Sequence, residues 1–147
     1  MAAEPRADAV VQEVRIAARP ETVFGFFTDA ELLLRWKGVS ATLEPRPGGI
    51  YRVVMNDRDT VLGEYVEVVP HSRVVFTWGF EGAGPVPAGA STVEVTLEPD
   101  GDATLVRLVH RDLPAPARDL HARGWAHFLE RLRLAAAGHD PGPDDWA

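Results

Sequence analysis

The chain has 147 residues, a net charge of -7 and no cysteine. That length suits one domain, which buries roughly 70% of its unfolded surface and needs no covalent staple. Disulfides, thiolate metal sites and cysteine nucleophiles are excluded, and the acidic balance argues against a nucleic-acid backbone as main partner, because phosphate binding needs clustered cations. Apolar and charged fractions of 46% and 25% are those of an ordinary globular domain. Met1 to Asp8 carries Glu4, Arg6 and Asp8 and lacks the apolar region of a signal peptide. No apolar run approaches the roughly 20 residues of a membrane span. The expectation is a cytoplasmic protein with no membrane contact.

In chain order, Val10 to Ala18 alternates, with Val14 and Ile16 on the face of Val10, and reads as a strand. Pro20 suits the first turn of a helix running to about Thr28, with Val23, Phe24 and Phe27 as its apolar stripe. Asp29 is placed to cap a second short helix carrying Leu32, Leu33 and Trp36, which Gly38 stops. The period then switches to two. Strands are expected at Ala41 to Glu44, Ile50 to Asn56, Thr60 to Val69, Arg73 to Phe80, Thr92 to Glu98 and Ala103 to Arg111. Turns are expected at 45–49, 56–59, 70–72 and 99–102, and a loop at 81–90.

The last pattern, Ala117 to Ala137, is a long amphipathic helix. At about 100° per residue, His121, Gly124, Trp125, Phe128, Leu129, Leu132 and Ala136 share one sector, opposite Asp119, Arg123, Glu130 and Arg133. Gly138 is a suitable C-terminal stop. Short turns between consecutive strands make an antiparallel meander, and only the long helix is big enough to cover one face of it. The domain is expected over 9–137, with flexible tails over 1–8 and 138–147; Trp146 lies in the acidic tail.

Several stretches together resemble a known family. They are Pro20-Glu21-Thr22-Val23-Phe24, Leu33-Leu34-Arg35-Trp36, Arg46-Pro47-Gly48-Gly49-Ile50-Tyr51, Gly63-Glu64-Tyr65-Val66-Glu67-Val68 and Val75-Phe76-Thr77-Trp78. Ser91-Thr92-Val93, Thr96-Leu97, and His121 with Gly124-Trp125 and Phe128-Leu129 complete the set. In this order and spacing they are similar to single-domain homologues of the C-terminal domain of the heat shock protein 90 ATPase activator. That family belongs to the START-like superfamily, also called SRPBCC or Bet v 1-like. The resemblance implies an α+β helix-grip fold, a curved antiparallel sheet of about six to seven strands around the long helix, with a cavity between them. Many relatives have two tryptophans after the arginine, whereas here Trp36 is followed by Lys37. The separate N-terminal domain of the full activator has no counterpart in this sequence, which argues against a full co-chaperone role.

The candidate cavity residues are Trp36, Tyr51, Met55, Phe76, Trp78, His110, His121, Gly124, Trp125 and Phe128. Pocket walls are mostly apolar and aromatic with a few placed polar groups. His110 and His121 can approach one interior space from opposite walls, there to orient a ligand or move a proton. The plain alternative is a pair of hydrogen-bonded core histidines. Gly124 costs about 1 kcal/mol in a helix interior, which implies that space is needed beside it, for close packing on the sheet in the first place or for a ligand. Glu64 shares parity with Val66 and Val68 and is the better of two candidates for an inward acid. No metal spacing or phosphate loop is present, and Ser91 lacks a nucleophile-elbow pattern. No cofactor is expected. The leading reading is a binder of a small hydrophobic or aromatic molecule. The alternatives are a polyketide cyclase-like enzyme acting through His110, His121 or Tyr51, and a chaperone interaction module. A homodimer stays open.

Overall fold

The computed structural model describes residues 9–82 and 84–144; expectations for 1–8 and for Trp146 fall outside them. Strand β1 (Val10–Ile16) is followed by helices α1 (Pro20–Thr28) and α2 (Ala30–Leu33). Strands β2 (Ser40–Leu43), β3 (Ile50–Val54), β4 (Thr60–Val69), β5 (Arg73–Trp78), β6 (Ser91–Asp100) and β7 (Ala103–Arg111) come next, and helix α3 (Ala115–Ala136) ends the fold. The strands form a seven-stranded antiparallel sheet in the order β1-β7-β6-β5-β4-β3-β2. The meander thus runs from β2 to β7, and β1 returns to pair beyond β7. Among the described residues no helix is long and apolar enough to cross a membrane.

Local chemistry explains the boundaries. Pro20 opens α1, and Asp29 accepts hydrogen bonds from the Glu31 and Leu32 amides at 2.9 and 3.3 Å, capping α2 as expected. The α3 C-terminus closes with paired bonds, Gly138 N to Ala135 O at 3.1 Å and His139 N to Leu134 O at 2.8 Å. Gly138 sits at φ 91°, where a side chain is unfavourable. Beyond it, Arg131 donates to the Gly142 carbonyl at 2.9 Å, and His127 lies 2.9 Å from Asp144. Residues 139–144 are therefore held along the helix.

Two strand readings need correction. Pro99 and Asp100 belong to β6, not to a turn; the register carries Asp100 opposite Ala103, leaving Gly101 and Asp102 as the loop. Glu64 is exposed, and Tyr65 is the buried neighbour. A register shift between Tyr65 and Glu67 breaks the two-residue period, which is why Val68 packs on the core although Glu64 does not.

The helix buries Trp125, Phe128, Leu129 and Leu132 against the sheet. Side chains also pin the segment after β1 into place. Trp36 Nε1 donates to Phe26 O and Tyr65 Oη to Phe27 O, both at 3.0 Å, while Arg131 Nε donates to Trp36 O at 3.1 Å. These bonds hold the turn after α2 between sheet and helix.

Gly63 lets β4 approach β5 closely. A Cβ there would lie 1.9 Å from the Thr77 carbonyl oxygen, a backbone atom that cannot move aside cheaply. Gly63→Ala is therefore expected to cost about 3 kcal/mol or more in urea denaturation; a cost under 1 kcal/mol would mean that the strands can separate there.

Candidate functional site

A cavity of about 160 Å³ lies between α3, the β3–β4 hairpin and the end of β5. Met55, Asn56, Arg58, Asp59 and Val61 line it from the hairpin side, Trp78 and Phe80 from β5 and the residues just after it, and Leu120, His121, Gly124, Trp125 and Phe128 from the helix. Lys37, from the turn after α2, completes the wall. Arg58, Asp59 and Leu120 are exposed, which marks their side as the mouth. Of the residues picked out in the sequence, Met55, Trp78, His121, Gly124, Trp125 and Phe128 are in the wall. Trp36, Tyr51, Phe76 and His110 are buried behind it. There Tyr51 stacks on Phe76 with centroids 4.0 Å apart.

Hydrogen bonds settle the states of both histidines. An indole N–H can only donate. Trp125 Nε1 lies 2.9 Å from His110 Nδ1, so that nitrogen is the acceptor and the proton sits on Nε2. His110 Nε2 is 2.8 Å from Ser91 Oγ and donates to it, and Ser91 Oγ donates in turn to Trp78 O at 2.8 Å. On the other side Trp78 Nε1 donates to His121 Nε2 at 3.3 Å, so His121 Nδ1 carries the proton and donates to Ala117 O at 2.8 Å. Both ring nitrogens of each of these two histidines are used. Burial, then the neighbouring His121 and Lys37 charges, push the His110 pKa down to about 2. Burial lowers that of His121 as well, against the opposing pull of its bond to Ala117 O. Both rings are neutral at physiological pH. Ser91 and His110 are in contact, yet the polarity is wrong for a nucleophile, because the serine proton points to a carbonyl and no carboxylate orients the histidine.

Lys37 is the group the sequence reading passed over, noting it only as a departure from the family. Two signals pointed to it: it follows the Trp36 of the family pattern, and it is the sole lysine among 15 lysine and arginine residues. It is 2% exposed, and its Nζ is buried with no hydrogen-bond partner. Four aromatic rings surround it: Trp78 at 4.7 Å, Trp125 at 4.8 Å, Trp36 at 5.1 Å and Tyr51 at 5.4 Å from Nζ to centroid. Such faces attract a cation but do not replace its hydration. Burial accordingly lowers the Lys37 pKa to about 7. Tyr51 Oη is also buried and unpartnered, and its pKa is raised by burial and then by Tyr65, so it stays a neutral hydroxyl.

This arrangement has a measurable cost. The unfolded chain takes up the lysine proton near 10.5, the folded one only near 7. Between those values the unfolded state binds more protons, so stability rises with pH through the window. Below about pH 7 the full penalty applies. A shift from 10.5 to about 7 corresponds to a penalty on the order of 5 kcal/mol. Lys37→Met, which keeps the apolar stem, should therefore be several kcal/mol more stable than wild type at pH 7, with the gap closing toward pH 10. Denaturant titrations of both proteins across pH 7–10 check this; a constant gap would show that Lys37 is charged throughout.

The model of the family "Activator of Hsp90 ATPase homolog 1-like protein" matches residues 17–137. The human activator of 90 kDa heat shock protein ATPase homolog 1 is 29% identical over 110 residues, which are 74% of this chain and 31% of that protein. The match thus spans about a third of the relative's length. Among solved structures, an AHSA1-like protein from Rhizobium etli is 44% identical, with TM-score 0.74 and coverage of 95% of this chain and 88% of that one. DynU16, a protein of the dynemicin biosynthetic locus, is 27% identical with TM-score 0.80, covering 95% of this chain and 51% of that one. With the helix-grip sheet and the long helix in place, the chain belongs to the Activator of Hsp90 ATPase homolog 1-like family, within the START-like superfamily.

Proposed function

We propose that this domain binds a small hydrophobic or aromatic molecule in the cavity between the sheet and α3. The observation that carries this is a cavity of about 160 Å³ that opens at Arg58, Asp59 and Leu120 and is walled on its inner side by buried core residues such as Trp78, Trp125 and Phe128. A dry apolar cavity of about 150 Å³ is enough for a benzene ring, so the space suits a single ring with a short substituent. Trp78, Trp125, Phe128 and Phe80 supply its faces, and Leu120 and Met55 add aliphatic surface. Burying a ring of about 150 Å² contributes about 4 kcal/mol. Such a probe alone should bind in the high-micromolar to millimolar range, and a physiological ligand would gain more from the polar groups of the wall.

The alternatives draw less support. A cyclase acting through the histidine pair needs nitrogens free to exchange protons with a ligand, and both rings are committed to Trp125, Ser91, Trp78 and Ala117. A pure interaction module needs no cavity. The chaperone reading rests on the family name and on a match to 31% of the human activator's length.

Benzyl alcohol serves as a probe. Its binding is expected to change tryptophan fluorescence, because Trp78 and Trp125 face the cavity. Gly124→Leu places a large side chain in the wall and should abolish the response while thermal unfolding stays cooperative. A response unaltered in a folded Gly124→Leu variant would put the ligand elsewhere. Native mass spectrometry of the freshly purified protein tests for a retained molecule.

A further inference from the structure

Lys37 carries more than a wall contact. A buried amine with no hydrogen-bond partner and no carboxylate beside it has no structural reward for being there. Its four-carbon stem is flexible, and Trp78 and Trp125, two of the four rings around it, line the cavity together with it. Rotation about its side-chain bonds can carry Nζ toward a ligand seated against those rings.

We infer that Lys37 is a carbonyl-capture site: its Nζ condenses reversibly with the aldehyde or ketone group of a small, mainly aromatic ligand in the cavity. This rests on the binding reading proposed above and names the ligand class. The competing occupant is a carboxylic acid held as an ion pair. A buried carboxylate needs several donors. Here the indole N–H groups of Trp78 and Trp125 are spent on His121 and His110, and the histidine N–H groups on Ala117 O and Ser91 Oγ. The Tyr51 hydroxyl is unpartnered, but Tyr51 is not in the wall. Asn56 and Arg58 also line the cavity, but Arg58 is exposed at its mouth, so an acid held at Lys37 among the rings would find few further donors, whereas a condensed carbonyl leaves no oxygen to satisfy.

In the reaction, neutral Nζ attacks the carbonyl carbon and forms a C–N bond as the π pair moves to oxygen. A proton passes from nitrogen to that oxygen, giving a carbinolamine. The nitrogen lone pair then expels hydroxide, which takes a proton and leaves as water. The net change is R–NH₃⁺ plus O=CHR′ to R–NH⁺=CHR′ plus H₂O, with no external oxidant or reductant. The product iminium is cationic, so the four ring faces that hold the ammonium also suit it. A pKa near 7 leaves a large share of the amine unprotonated at neutral pH.

The test treats the full chain with benzaldehyde and sodium cyanoborohydride at pH 7, with peptide mapping by mass spectrometry. Lys37 is the sole lysine, so the α-amino group is the one competing amine. Its ordinary pKa of about 7.7–8.0 makes it an internal reference of similar basicity. The expected result is reductive benzylation of Lys37 about tenfold faster than of the α-amino group, slowed by excess benzyl alcohol, and lost in Lys37→Arg. Labelling of the α-amino group alone, while benzyl alcohol still alters tryptophan fluorescence, overturns carbonyl capture and leaves the binding reading standing. Absence of both signals overturns the two together. Labelling of Lys37 that benzyl alcohol does not slow overturns delivery through the cavity.

Discussion

The indole nitrogens of Trp78 and Trp125 can donate hydrogen bonds and never accept them, and the chemistry of the interior follows from that restriction. Each indole faces a histidine ring nitrogen, so each histidine must offer an acceptor there and hold its proton on the far nitrogen. The far nitrogens then find Ser91 Oγ and Ala117 O. The bonds run from β5 through β6 and β7 to α3, so the helix is locked to the sheet by polar contacts as well as by apolar packing. A neutral, closed network results. Lys37, a few ångströms from the same rings, stands outside it with its Nζ unpartnered.

The aromatic box therefore combines two opposite economies. Its tryptophans, and the histidines bonded to them, have their ring nitrogens hydrogen-bonded. Its lysine is unsatisfied, and keeping it buried consumes stability on the order of 5 kcal/mol near neutral pH, against total stabilities of about 5–15 kcal/mol for single domains. Local conflicts of this size persist where a function uses them. Placing the lysine at the cavity wall connects the conflict to the ligand space: a molecule that gives the nitrogen a bond, covalent or not, relieves it.

Much of this was legible in advance. Period-two alternation located all seven strands, and the 3.6-residue stripe located α3 together with the wall positions His121, Gly124, Trp125 and Phe128. Helix punctuation by Pro20, Asp29 and Gly138 was legible because each acts within a few residues of itself. Glu64 was misread because a bulge shifts parity, and no local residue pattern announces a bulge. His110 was correctly placed on an inward face, but whether an inward residue meets the cavity or the packing behind it depends on how far each strand curves.

Sequence by itself determined the order of elements, the inward faces and the family, since all three rest on short-range periodicity and on motifs in line along the chain. Tertiary structure alone decided the charge states. Lys37 lies in a short turn where its neighbours in sequence say nothing of burial, and the rings around its amine come from positions 36, 51, 78 and 125. A pKa depends on which groups surround an atom in space, and those groups are brought together only when β3, β5 and α3 close over the turn.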